Sequence, residues 1–208
     1  MNRLYKLLFF IPIIIIGCSN NETDDRRINQ SINSLNMNIY SNEGIKLLSI
    51  KSPYSNFEKE ENIFNLKETT INLFKDNKSE YIITSDNSKI TNNNKLIELN
   101  GNVVIKTLEK KQDILHSKSF SWNIENSEFL LVGNVKFKNN SITLTSNKAI
   151  LNKTNKIIEF FNPVKYVVND SNNERGYEVS SQNAYYNIDT KSVNFRSKED
   201  RVRTKIYF

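Results

Sequence analysis

The chain has 208 residues, with 29 Lys and Arg against 23 Asp and Glu, one His and a net charge of +6. Charges of both signs alternate at short intervals without a long basic block, which argues against a nucleic-acid partner. A single Cys excludes a disulfide framework, so an apolar core must hold the fold together.

Residues 1–17 join a basic start, Arg3 and Lys6, to an apolar run from Leu7 to Ile16. That run is shorter than the roughly 18–20 residues of a spanning helix, and it reads as a secretory signal. Gly17 directly before the lone Cys18 resembles the lipobox of bacterial lipoproteins, in which the Cys becomes the acylated first residue. The alternative is an uncleaved anchor helix with an incidental Cys. Either way the chain is held at a membrane with the remainder outside the cytoplasm. Residues 18–34 are polar and charged and read as a flexible tether. Residues 35–208 then form one domain of ordinary size.

Within that domain helical periodicity is missing. GIKLLSIKSPYSNF from Gly44 and NIFNLKETTINLFKDNKSEYIIT from Asn62 alternate apolar and polar residues, as half-buried strands do. SPYSNFEKEEN reads as a turn or loop, with Pro53 limiting pairing. Four segments then superimpose without internal gaps: SDNSKITNNNKLIELNG from Ser85, SKSFSWNIENSEFLLVG from Ser117, SNKAILNKTNKIIEFFN from Ser146 and SQNAYYNIDTKSVNFRS from Ser181. Each opens on Ser and reaches Gly101, Gly133, Asn162 or Ser197 sixteen residues later. A period of about 30 residues indicates a repetitive β architecture. EDRVRTKIYF at the end is either a last edge strand or a mobile tail.

The columns of this alignment predict an inner face. It holds Phe120 and Trp122 before the turn, then Leu131, Ile158 and Phe160 after it, and Ile105, Val135, Phe137, Val164 and Tyr166 beyond the Gly column. Glu98, Asn100, Lys136, Glu159 and Lys165 fall in the alternate, polar columns. Gly101 and Gly133 mark corners of a curved, stacked sheet, with the Gly column on the apolar face.

YIITSDNSKITNNNKLIELNGNVVIK, followed by ILHSKSFSWNIENSEFLLVGNVKF, resembles the LptC family of periplasmic lipopolysaccharide-export proteins, related to LptA/OstA. The Gly-Asn-Val steps at 101–103 and 133–135, the Ser52–Tyr54 step and the FNLKETTINLF strand carry the likeness, which spans roughly residues 45–168. Asn162-Pro163-Val164 and Ser197 depart from the pattern. The resemblance implies an all-β fold, an LptA/LptC-like bent β-jellyroll of stacked antiparallel strands with an open apolar interior that carries lipid acyl chains. It implies lipopolysaccharide as cargo, inner-membrane ABC transporter subunits as one partner and an LptA-like periplasmic protein, joined through edge strands, as the next. The location implied is the periplasmic face of the inner membrane; Ser19 after Cys18 leaves the outer membrane open.

The ten inner-face residues are the candidate lipid contacts, and a closed core without ligand is the alternative. A lipid-anchored β-repeat scaffold and an LptA/OstA-like bridge component are the corresponding alternative functions. Lys106, Lys136, Lys138 and Lys165 are candidates for lipid phosphates or simply solvated strand ends. His116, the single His, occupies a column of Thr and Ser and reads as a strand residue. No nucleophile elbow, phosphate loop or metal-spaced cluster appears, so neither an enzyme nor a cofactor or metal is expected.

Overall fold

The computed structural model describes residues 29–91, 93–108, 113–161, 163–169, 175–198 and 201–207. Residues 1–17 read as a signal, Cys18 and most of the segment read as a tether therefore lie outside the described residues. Those described form strands and turns only.

Fourteen strands make one antiparallel sheet. They are β1 (Asn29–Tyr40), β2 (Lys46–Glu58), β3 (Ile63–Lys75), β4 (Lys78–Thr91), β5 (Leu96–Thr107), β6 (Ile114–Asn123), β7 (Glu128–Lys138) and β8 (Ile142–Asn152). The shorter β9 (Ile157–Phe161), β10 (Val164–Asn169), β11 (Arg175–Ser181), β12 (Asn183–Asn187), β13 (Val193–Arg196) and β14 (Arg203–Ile206) follow. β1 to β8 pair in chain order; beyond them the sheet forks, β8 pairing with β9 through Lys148–Asn152 and with β10 through Ile142–Thr145. One branch continues as β9–β12–β13, the other as β10–β11–β14.

The fork follows from a corner that every long strand turns. Register slips between Thr84 and Asn87, Asn100 and Val103, His116 and Ser119, and Val132 and Val135. Such bulges bend a strand and sharpen its twist. Residues on one side of the corner form a first layer (78–84, 103–107, 114–117, 135–138, 142–145, β10, β11, β14). Those on the other side form a second (87–91, 96–100, 119–123, 128–132, 148–152, β9, β12, β13). Where Pro163, which lacks an N–H, meets the corner, the bulge becomes a full break between β9 and β10.

Repeated residues build the corner. Gly101 and Gly133 have φ of +77° and +82°, and Asn102 and Asn134 after them are positive as well. Gly takes this conformation without the Cβ penalty of other residues, and Asn tolerates it best among the rest. A Cβ on Gly101 would lie 2.6 Å from Asp86 Oδ2, and one on Gly133 3.0 Å from Lys118 Cβ. Asp86 and Lys118 are exposed, so the Gly column faces the outside of the corner, not the apolar face; the bulge has swung it round. The Ser that opens each unit also has a physical reason. Ser117, Ser146 and Ser181 each donate Oγ–H to the carbonyl two residues on, at 2.9 Å, and Ser85 Oγ lies 3.0 Å from Ser88 Oγ. The first three hydroxyls thus give a main-chain carbonyl beside the slipped ladder a donor. Gly133→Ala is expected to lower stability by about 2 kcal/mol, from a forced left-handed conformation and the Lys118 contact, as read by urea denaturation.

Two segments differ from the sequence reading. Pairing in SPYSNFEKEEN runs to Glu58, and the turn is confined to residues 59–62. Pro53 is accommodated because it sits at the corner, between the Lys51–Thr70 and Tyr54–Lys67 pairs, where no ladder bond is missed. β1 begins at Asn29, inside the segment read as tether, and Asn29 to Asn33 pair with Glu58 to Tyr54. Leu35, Met37 and Ile39 of β1 pack against the core, whereas Asn29 to Asn33 are mostly polar and are held by main-chain bonds, which leave no hydrophobic signature. The last residues form β14, paired with β11.

Candidate functional site

Both layers turn the same columns inward. Ile105, Val135, Phe137, Val164 and Tyr166 come from the first layer, and Phe120, Trp122, Leu131, Ile158 and Phe160 from the second; none is more than 8 % exposed. The layers lie on each other over part of this face. Phe137 packs on Phe160 (centroids 6.3 Å apart) and on Tyr186 (4.5 Å), and Tyr166 meets Phe195 edge-on at 5.3 Å. Burial of each large side chain is worth about 1.5–3 kcal/mol, so this face is a core, and a ligand reaches it only where the layers part.

The layers meet again at their strand ends, along the side opposite the corner. Lys191, in the turn after β12, places Nζ 2.8 Å from Oδ2 of Asp113, just before β6. Asp113 is 5 % exposed, and its Oδ1 finds no partner among the described residues. Beside it, Asn139 donates from Nδ2 to the Tyr186 hydroxyl at 3.2 Å. Asn139 is itself held by the Ser141 and Ile142 amides, which donate to its Oδ1 at 3.0 Å. Burial, then the Asp113 charge, push the Tyr186 hydroxyl up to about 12, while the Asn139 bond pulls it slightly back. These contacts join segments far apart in sequence and act as a polar clasp.

Further along the same side a cleft of about 400 Å³ stays open. Leu47, Leu73, Phe74 and Tyr81 form its first-layer wall, and Trp122 and Ile124 its second-layer wall. The indole is fixed by donation from Nε1 to the Asn126 carbonyl at 3.0 Å. Lys153, whose own amide donates to the Ser127 carbonyl at 2.8 Å, sets its ammonium 4.3 Å from the Trp122 ring centroid and 5.2 Å from that of Phe129. Burial lowers the Lys153 pKa, and the charge of Glu80 opposite partly offsets this. A larger hollow of about 750 Å³, lined by Asn33, Tyr54, Asn65, Leu66, Lys67 and Lys89 among others, lies over the first strands.

Lys106, Lys136, Lys138 and Lys165 are all exposed on the outer face of the first layer, turned away from the inner columns. Lys165 is paired with Glu178 at 3.0 Å. His116 lies in the same face; partial burial, then Lys136 and Lys106 beside it, hold its pKa below the usual value. Lys153, Asp113 and Lys191 were not singled out by the sequence, because each sits in a polar connection whose partners come from distant stretches of the chain.

A comparison with curated proteins gave no match. Among solved structures, LptH from Pseudomonas aeruginosa, described as the LptA homologous periplasmic component of the conserved lipopolysaccharide transport device, aligns over 77 % of this chain and 94 % of its own. The identity is 8 % and the TM-score 0.46. A model for OstA-like proteins matches residues 106–205. The family model described as lipopolysaccharide-assembly, LptC-related, matches residues 15–130, more than half of the chain. The chain belongs to the LptC-related lipopolysaccharide-assembly family.

Proposed function

We propose that this protein is a membrane-attached component of lipopolysaccharide export that shelters acyl chains between its layers. It takes lipopolysaccharide from the inner-membrane ABC transporter and passes it to an LptA-like periplasmic protein through edge strands. Family membership supports a part in lipopolysaccharide assembly. The observation that carries the finer reading is the apolar inner face, one connected set of buried side chains drawn from both layers.

Exposing one acyl chain of ~14 carbons to water costs on the order of 10 kcal/mol. A face that covers such a chain removes most of that barrier, so direction is left to an energised partner. β1 bounds the sheet at one end, β13 and β14 at the other. Such edges serve as joining surfaces by strand addition. Acylation at Cys18, after loss of residues 1–17, is the attachment we favour, with the inner membrane as its place.

The close packing of Phe137, Phe160 and Tyr186 favours a second reading, a lipid-anchored scaffold whose core never opens. In-cell photo-crosslinking separates the two. With a photoreactive residue at position 160, an adduct with lipopolysaccharide is expected, and none at position 159, whose side chain lies on the other face. No adduct at 160 in folded, correctly localised protein would establish the scaffold.

A further inference from the structure

The Lys153 ammonium is a half-buried cation whose three donors meet, among the described residues, only the faces of two aromatic rings. Cation–π contacts orient an ammonium but leave its N–H groups without acceptors. Lys75 is the other cation lining the cleft, and Glu80 the one acid; no ion pair between Glu80 and Lys153 forms among the described residues. Ser127 and Thr154 lie on the Lys153 side, Leu47, Leu73, Phe74, Tyr81 and Ile124 line the rest, and behind Trp122 an aromatic row leads inward, Trp122 on Phe129 at 5.0 Å and Phe129 on Phe120 at 5.2 Å. One end of this cleft calls for an anion and the other for hydrocarbon.

We propose that Lys153 binds the phosphate headgroup of an acylated lipid at the entrance between the layers, with an acyl chain running inward past Trp122. This rests on the lipid-carrying reading above and adds the point of entry and the group recognised. A free phosphate would leave the apolar walls wet, so the tail is part of what the site selects.

Trp122 is the one tryptophan of the chain, so its fluorescence reports on this site. The full chain, held in amphipol, is titrated with dodecyl phosphate, dodecanol and inorganic phosphate. Dodecyl phosphate is expected to change the emission saturably, with Lys153→Gln weakening its binding about ten- to a hundred-fold, the worth of a charge-assisted bond. Lys153→Arg should restore it, and Lys118→Gln, an exposed lysine at the outside of the corner and away from the cleft, should leave it near wild type, which separates recognition from misfolding. Dodecanol should bind more weakly and without regard to residue 153. Equal affinity of wild type and Lys153→Gln for dodecyl phosphate, or no saturable change at all, overturns the proposal. Inorganic phosphate binding as tightly as dodecyl phosphate overturns the lipid assignment in favour of a free-anion site. A surviving crosslink at position 160 alongside such a failure removes only this entry site; loss of both removes the transport reading.

Discussion

Phe137→Ala is expected to destabilise the chain by about 3–5 kcal/mol, the cost of emptying a large aromatic site in a core that cannot collapse around it. Phe137 is 1 % exposed and touches Phe160 and Tyr186, both on the opposite layer. Its loss therefore weakens the contact between layers as well as the packing within one. Phe161→Ala is the control, since Phe161 is partly exposed on the outer face with Lys148 above its ring at 5.1 Å; a change below about 1 kcal/mol is expected there. Urea denaturation of both variants decides the matter. Equal losses would mean that the two layers do not share a core.

Fastening the clasp should abolish lipid passage without unfolding the protein. Asp113→Cys and Lys191→Cys, joined by a short bis-maleimide, tie the two layers across the side where Lys191 and Asp113 pair at 2.8 Å. If acyl chains enter by separation of the layers, the cross-linked protein loses its lipopolysaccharide adduct at position 160. The same double variant without cross-linker should keep the adduct. The clasp contributes to stability as well, because breaking it strands Asp113, already buried with one oxygen unpartnered. Unchanged adduct yield after complete cross-linking would show that lipid reaches position 160 by another route.

Much of the fold was legible because its signals are local. Alternation with a period of two declares a half-buried strand wherever it occurs. The columns containing Phe120, Trp122, Leu131 and Phe160 therefore named the inward residues before any pairing was known, and all are buried. The recurring Gly marked the corners, although its place on the outside of the bend, not on the apolar face, emerged only with its positive φ and the nearness of Asp86 and Lys118. The start of β1 was harder to see, since its first five residues are mostly polar and are held by main-chain bonds that leave no trace in side-chain pattern, although Leu35, Met37 and Ile39 further along alternate toward the core.

By itself the sequence determined that the chain is all-β, which residues face inward, where the strands bend, and the family whose Gly-Asn-Val steps it shares. The tertiary structure alone decided how the two layers meet. The sheet's twist and the angle of each bulge bring Lys191 to Asp113 and Asn139 to Tyr186, and set Lys153 over Trp122 in a cleft walled by β2, β3 and β4. Strand character depends on neighbours two residues apart, which a sequence displays. Contacts across a folded sheet depend on small rotations summed over many strands, and no short stretch of sequence records that sum.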